Sequence, residues 1–267
     1  MKKALKFVVD LFIILLLTVV TQIGGVVYFL TLFVQPKNTY YRWKRLGTFV
    51  FLYLTATFLV VPLVAPLFGR EKINKQDYVA SRTFMTDVLN RNYVRPELNI
   101  SLQKIATELN KKHQGVKVVY LDANFPFINK FPLLPHLSHS DGKKVDLSLI
   151  YEDENKRITN KKPSVSGYGV FEAPKEGAYD QIKRCLSNGN WQYDFPKYFT
   201  FGTINPKLSF SEVGTRDLIL EILKQPNTGK IFIEPHLKSR LNLSHKKIRF
   251  HGCQAVRHDD HIHFQLH

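Results

Sequence analysis

Two long apolar runs occupy the start of the chain. From Leu11 to Pro36 no residue carries a charge, and the same holds from Leu46 to Gly69. Crossing a hydrocarbon core of ~30 Å takes about twenty apolar residues in a helix, so each run is long enough to span a membrane. A secretory signal peptide has a much shorter apolar region and a small-residue cleavage site. The pattern therefore predicts a two-helix transmembrane hairpin within residues 1–75, with helices at about 9–35 and 46–68. After Gly69 the composition turns polar and charged, which places the boundary of a second domain, residues 76–267, near Arg70–Lys75.

In that domain the apolar positions change period several times. Tyr78, Val79, Phe84, Met85, Val88 and Leu89 recur at helical spacing. A second helix is expected over Ser101–Lys112, with Ser101 as N-cap and Leu102, Ile105 and Leu109 on one face. Val116–Asp122 reads as a strand, since Val118, Val119 and Tyr120 are β-formers. A loop through Pro126, Pro132 and Pro135 leads to a strand beginning at about Lys144. Residues 152–210 carry little periodicity and many Gly, Pro, Asn and Lys, so they read as a long irregular excursion of the kind used for lids or binding loops. A helix over Ser211–Gln225, a strand over Lys230–Glu234 and a short helix over Pro235–Leu241 follow, then strands over Lys246–Phe250 and His261–Leu266. The fold class is α+β, a small antiparallel sheet with flanking helices.

Charge constrains the partners less than the hairpin does. The net charge of +16 divides evenly, since residues 1–75 hold ten Lys/Arg against two acids and the remainder carries the other +8. Such an excess suits anionic lipid or an anionic cell wall. No basic run interleaved with aromatics and no nucleic-acid motif is present, which argues against a nucleic-acid partner. Oligomeric state is not legible. Lys37, Arg42, Lys44 and Arg45 between the apolar runs favour a cytoplasmic loop and a C-terminal domain on the other side, whereas Lys2, Lys3 and Lys6 pull the N-terminus inward too. A simple hairpin cannot satisfy both. Cys185 and Cys253 are compatible with a disulfide or with two free thiols, and no CxxC spacing offers cysteine-bound zinc.

Ten histidines are many for this length, and their placement carries the chemistry. His136 and His139 precede the strand that holds Asp146, in which Val145, Leu147 and Leu149 alternate with Asp146 and Ser148. At the end of the chain His261, His263 and Gln265 share one face of a strand, and Ile262, Phe264 and Leu266 the other. Two histidines at this spacing stand roughly 6.5–7 Å apart along the strand. They suit two ligands of one metal, or one ligand beside one catalytic group, and spacing does not choose. A catalytic zinc takes three protein ligands from residues of these types and keeps a position open.

His139-Ser-Asp-Gly-Lys-Lys-Val-Asp146 resembles the H-x6-D motif of the zinc peptidases that include D-Ala-D-Ala carboxypeptidases and lysostaphin-type enzymes, and His261-Ile-His263 resembles their H-x-H. The similarity is greatest to the penicillin-insensitive murein endopeptidase family. Its H-x-x-H, Gly-containing turn and D-[IL] match His136-Leu-Ser-His139, Gly142 and Asp146-Leu147, and its closing H-D-x-H-x-H matches His258 through His263. The segment Ile231–Leu241 is similar to that family's strand and helix before the last motif. The resemblance covers residues from about 115 onward, with 152–210 poorly matched and the apolar runs outside it.

That resemblance implies Zn2+ held by His139, Asp146 and His263, with His136 shaping the site or touching a further metal. It implies catalytic assistance from His261, with His258 nearby. Asp260 holds the spacing of the general base in carboxypeptidase relatives, but on an ideal strand it would point away from His263, which favours His261. The implied protein is a zinc peptidase of the bacterial cytoplasmic membrane that hydrolyses peptidoglycan stem or cross-link peptides on the periplasmic or wall side. A D,D-carboxypeptidase or dipeptidase is the near alternative, and a tethered zinc-binding wall module without activity the distant one. His236, His245, His251 and His267 read as structural or surface residues, with a supporting role open to His236. Gly142 is expected to permit the turn that aims His139 and Asp146.

Overall fold

The computed structural model describes residues 2–33 and 40–267, so the expected loop residue Lys37 and the end of the first predicted helix lie outside the described residues. The chain divides into two compact units that interleave along the sequence. One comprises Met1–Ile73, Met85–Pro96 and Ala123–Gly142, and the other Asn74–Phe84, Glu97–Asp122 and Lys143–His267.

In chain order the first elements are α1 (Lys2–Thr21), α2 (Gly24–Thr31), α3 (Tyr41–Thr55), a π-helical turn (Ala56–Val60), α4 (Val61–Val64) and a 3-10 turn (Ala65–Phe68). Next come β1 (Glu71–Lys72), β2 (Val79–Ser81), α5 (Met85–Val88), β3 (Tyr93–Val94), α6 (Pro96–Lys112), β4 (Val118–Asp122) and β5 (Lys144–Ser148). The excursion holds β6 (Tyr151–Glu152), β7 (Ile158–Thr159), α7 (Gln181–Ser187), a 3-10 segment (Trp191–Phe199) and β8 (Ser209–Phe210). The chain closes with α8 (Glu212–Lys224), β9 (Thr228–Phe232), α9 (Pro235–Arg240), β10 (Ile248–Arg249) and β11 (His261–Leu266).

In the first unit two helical stretches, Lys3–Thr21 and Tyr41–Phe68, are long and apolar enough to cross a membrane. Large apolar side chains such as Phe7, Phe12, Leu63 and Leu67 stand exposed along them. The first apolar run is not one helix over about 9–35. It breaks at Gln22 (φ 66°) and Ile23, and α2 folds back along α1. Gly25 makes this possible, because a Cβ there would lie 1.9 Å from Thr18 Oγ1 and 2.4 Å from the Ile14 carbonyl. The Tyr28 hydroxyl donates to Asp10 Oδ1 at 2.7 Å, and uniform apolarity conceals this reversal. α3 then runs parallel to α1, since Arg45 meets Asp10 at 3.3 Å near one end and Ile23 packs on Val61 and Ala65 near the other. The π-helical turn just before Pro62 supplies the extra residue needed where proline lacks an N–H and crowds the preceding turn. Lys3 and Lys6 therefore share one end of this helical unit with Arg42, Lys44 and Arg45.

The second unit is built on a six-stranded sheet in the order β10-β9-β11-β5-β4-β2. The expectation of an antiparallel sheet holds only for its centre, where β11 pairs with β9 and β5, and β5 with β4. Both edges are parallel, β10 with β9 and β2 with β4, so the sheet is mixed. Each parallel pair is joined through a helix, α9 or α6, which returns the chain in its original direction. β2 also replaces part of the helix expected from Tyr78, and only Met85–Val88 is helical there. The Tyr78 carbonyl accepts from Val118 N at 2.8 Å and the Tyr120 carbonyl from Arg82 N at 2.8 Å, and this pairing overrides the local period.

α6 starts at Pro96, five residues before the expected cap, because proline is well placed in a first helical turn. Ser101 lies inside the helix and its hydroxyl donates back to the Glu97 carbonyl at 2.8 Å. Leu102, Ile105 and Leu109 are fully buried on one face, as the spacing predicts. α8 is capped where expected, with Ser211 Oγ accepting from Gly214 N at 3.2 Å. The excursion is more ordered than its composition suggests. Its strands form a three-stranded sheet, β7-β6-β8, and a Cys185–Cys253 disulfide ties α7 to the segment before β11.

Candidate functional site

β5 and β11 lie side by side with His263 directly opposite Asp146. The apolar faces of the two strands, Val145 and Leu147 on one and Ile262 and Phe264 on the other, are completely buried in the core. That burial fixes the register, since a slip by one residue would turn every polar side chain inward. Asp146 is itself buried, and its Oδ1 lies 2.8 Å from His263 Nδ1. His261 Nε2 stands 3.8 Å from Asp146 Oδ2.

The closing H-D-D-H-I-H run divides its labour. His258, His261 and His263 converge, with ring centroids 4.8 Å apart for the first two and 6.0 Å for the first and third. Asp260 does not stand free as a base. Its Oδ1 is 2.5 Å from His261 Nδ1, and its Oδ2 accepts from Gly169 N at 2.6 Å. Burial alone would push His261 down, but the carboxylates of Asp260, Asp146 and Asp259 outweigh it and hold the imidazole at about 9. Burial and the neighbouring His261 and His263 hold His258 well below the ordinary histidine value. Asp259 turns to Arg257, which donates to both of its oxygens at 2.7 and 2.5 Å.

On the other motif, His139 is buried and its Nδ1 lies 2.8 Å from the Ala123 carbonyl, which must accept. With Nδ1 as the donor in that bond, the neutral ring carries its lone pair on Nε2, the atom that would ligate a metal. The His136 ring is 5.4 Å from that of His139. The turn between His139 and Asp146 contains Gly142 at φ 80°, whose N–H donates to Asn124 Oδ1 at 3.1 Å. One ligand atom from each of His136, His139 and Asp146 lies within 4.8 Å of the others, so these three could hold a metal ion. Two imidazoles and a carboxylate form a donor set that suits zinc, among other divalent metals.

Sequence reasoning missed several contributors. Tyr168, in the excursion, donates its hydroxyl to Asp146 Oδ2 at 2.9 Å and sets its ring edge-on to His261 at 5.0 Å. The Ser166-Gly-Tyr-Gly169 stretch was the signal, a bulky residue between two glycines in a segment without periodicity. Glu234 is buried and accepts from the Tyr193 hydroxyl at 2.6 Å and from His258 N at 3.0 Å. Burial raises its carboxyl above the usual range, against the pull of those two bonds. His251, read as a structural or surface residue, is exposed, and its ring stands 5.4 Å from His258 and 4.3 Å from Phe232. His236 is buried with Nε2 on the Glu172 carbonyl at 2.7 Å, a supporting position. No family model and no curated protein sequence matches this chain.

Proposed function

We propose that this chain is a membrane-anchored zinc peptidase that hydrolyses peptide cross-links of peptidoglycan. The observation that carries the reading is the donor group of His136, His139 and Asp146, with His263 and His261 on the strand beside Asp146. His139, Asp146 and His263 would hold the zinc, as the motif resemblance implies, with His136 at its margin. Bound there, zinc would supply Lewis-acid polarisation of the scissile carbonyl and activation of water near neutral pH. His261 moves the proton at Nε2, because Nδ1 is committed to Asp260. Asp260 acts through His261 by orienting it, and the buried Glu234 steadies the His258 backbone from below. His258 and His251 line the approach to the same histidine cluster.

Two features support a sidedness for this reading. The basic ends of α1 and α3 lie together, which satisfies the positive-inside bias for the N-terminus and the α3 start at once. The Cys185–Cys253 disulfide suits an oxidising compartment for the large domain. The N-terminus accordingly faces the cytoplasm and the catalytic residues face outward. In intact cells a membrane-impermeant maleimide should label Asp153→Cys and spare Lys3→Cys until the cells are lysed. Labelling of Lys3→Cys alone would reverse the assignment.

The activity test is a digest of purified cross-linked muropeptides by the full-length protein in detergent. Zinc should support conversion of dimers to monomers, and a chelator or His263→Ala should lower it at least ~100-fold, the scale on which loss of a key catalytic group acts. Release of terminal D-alanine from intact dimers would replace the endopeptidase with a D,D-carboxypeptidase. A folded, zinc-loaded protein that forms no product would leave a wall-binding module.

A further inference from the structure

The excursion carries a short segment with an unusual construction. Gly167 and Gly169 flank Tyr168, with φ of 91° and 78°. A Cβ on Gly169 would lie 2.5 Å from the Pro196 carbonyl, and one on Gly167 would lie 2.3 Å from Leu121 Cδ2. Only glycine meets both the left-handed backbone and the close approach. The turn is fastened from within, with Ser164 Oγ donating to the Tyr168 carbonyl at 2.8 Å and accepting from Gly167 N at 3.0 Å. Ser166 Oγ accepts from Tyr168 N at 3.0 Å. Arg82 reaches over from the end of β2 and donates to the Ser164 carbonyl at 2.6 Å. Ser164 is fully buried and Tyr168 nearly so. A loop held this firmly is part of the scaffold, not a lid that swings.

What the scaffold delivers is one hydroxyl to one carboxylate oxygen. Tyr168 donates to Asp146 Oδ2 at 2.9 Å, while Asp146 Oδ1 faces His263 Nδ1 at 2.8 Å. The next residue along, Gly169, gives its N–H to Asp260 Oδ2 at 2.6 Å, and Asp260 Oδ1 meets His261 Nδ1. Two successive residues of the excursion thus grip two different acids of the site, each on the oxygen opposite the one that meets a histidine Nδ1.

We propose that Tyr168 is a positioning residue for the metal, holding Asp146 Oδ2 so that Oδ1 is the oxygen presented for ligation. This rests on the zinc-site reading above. Partners that orient a ligating carboxylate typically change metal affinity by 10–100-fold when removed. Tyr168→Phe deletes the hydroxyl and keeps the ring against His261, so the apo protein should keep its fold.

The test is metal binding, measured on full-length protein in detergent by competition with a chromophoric zinc chelator. Melting of the apo forms is followed in parallel. Wild type should bind zinc, and Tyr168→Phe should bind roughly 10–100-fold more weakly while its apo form still melts cooperatively, lower by only the few degrees that one lost buried hydrogen bond costs. The Co2+-substituted forms should differ in their visible absorption, because the ligand field at Asp146 has changed. Equal zinc affinity and identical Co2+ spectra in the two proteins would overturn the positioning role. Absence of zinc binding by wild type would instead sink the metal-site reading on which it depends.

Discussion

Arg257→Ala is expected to destabilise the protein by about 3–5 kcal/mol near neutral pH, because it leaves a buried carboxylate without its partner. Asp259 is completely buried, and Arg257 donates to both of its oxygens at 2.7 and 2.5 Å while meeting Asp194 at 3.0 Å. The guanidinium also stacks on Phe171 at 3.8 Å. Burial already pushes the Asp259 carboxyl up to about 7 against the pull of Arg257, with Asp260 and Glu234 adding to the rise. A carboxyl raised in the folded state costs stability as pH climbs from the unfolded value, about 4, through the folded one. Removing Arg257 raises it further, so the gap to wild type should be widest above pH 7 and narrow toward pH 5. Thermal melts should show a Tm lower by roughly 10 °C at pH 8. Adding Asp259→Asn should recover most of that loss, since the uncompensated charge is gone. A single variant that melts like wild type would show that the fork supports nothing. The Asp259 carbonyl accepts from Glu172 N at 2.9 Å, between His258 and Asp260, so the same change should loosen the histidine cluster.

This assignment bears on how the last motif reads as sequence. H-D-D-H-I-H looks like five candidate groups around one apolar residue, and alternation on β11 correctly places His261 and His263 together and Ile262 in the core. The two aspartates precede the strand, where alternation has no authority, and three-dimensional neighbours decide their roles. Arg257 is two residues from Asp259 and could have been paired with it by eye, whereas Gly169 is ninety-one residues from Asp260. The core strands and α8 were legible for a similar reason. β5 begins at Lys144 and β11 spans His261–Leu266 because each must bury one complete apolar face.

The failures have physical causes as well. β2 is three residues long, too short to show a period, and exists because β4 offers it a parallel partner. The reversal at Gln22 hides inside uniform apolarity, where hydropathy carries no positional information. The Gly24-Gly25 pair was the available hint, since residues without a bulky side chain let two helix backbones approach closely. Recognising that reversal also removes the conflict between the two basic clusters, which a two-helix hairpin would have put on opposite sides.

Lys162→Met should make the protein more stable than wild type at pH 7, an advantage that disappears between about pH 9 and 10. Lys162 is fully buried, its ammonium bonded to the Leu149 carbonyl at 3.0 Å and lying 5.5 Å from the Tyr151 ring. Burial, with the charge of Arg82 adding to it, lowers this lysine to about 7. An unfolded chain holds the proton up to about 10.4, so between these values the unfolded state binds a proton that the folded state has lost. Wild-type stability contributed by this group is therefore complete above the unfolded value. It declines as pH falls toward 7, by at most about 1.4 kcal/mol per unit, and stays low below that. Methionine removes this slope, a gain of several kcal/mol at pH 7 that vanishes near pH 10. Against it stands the loss of the bond to the Leu149 carbonyl, a cost of about 0.5–1.5 kcal/mol at every pH, since Ser148 Oγ still donates to that carbonyl at 2.9 Å. The two effects balance between about pH 9 and 10, where the melting curves of the two proteins should cross. The measurement is the difference in Tm between variant and wild type from pH 6 to 10, which cancels groups that titrate alike in both. A difference that does not vary with pH would mean that Lys162 keeps its proton in the folded protein, held by a negative partner that its burial against Leu149 and Tyr151 does not provide.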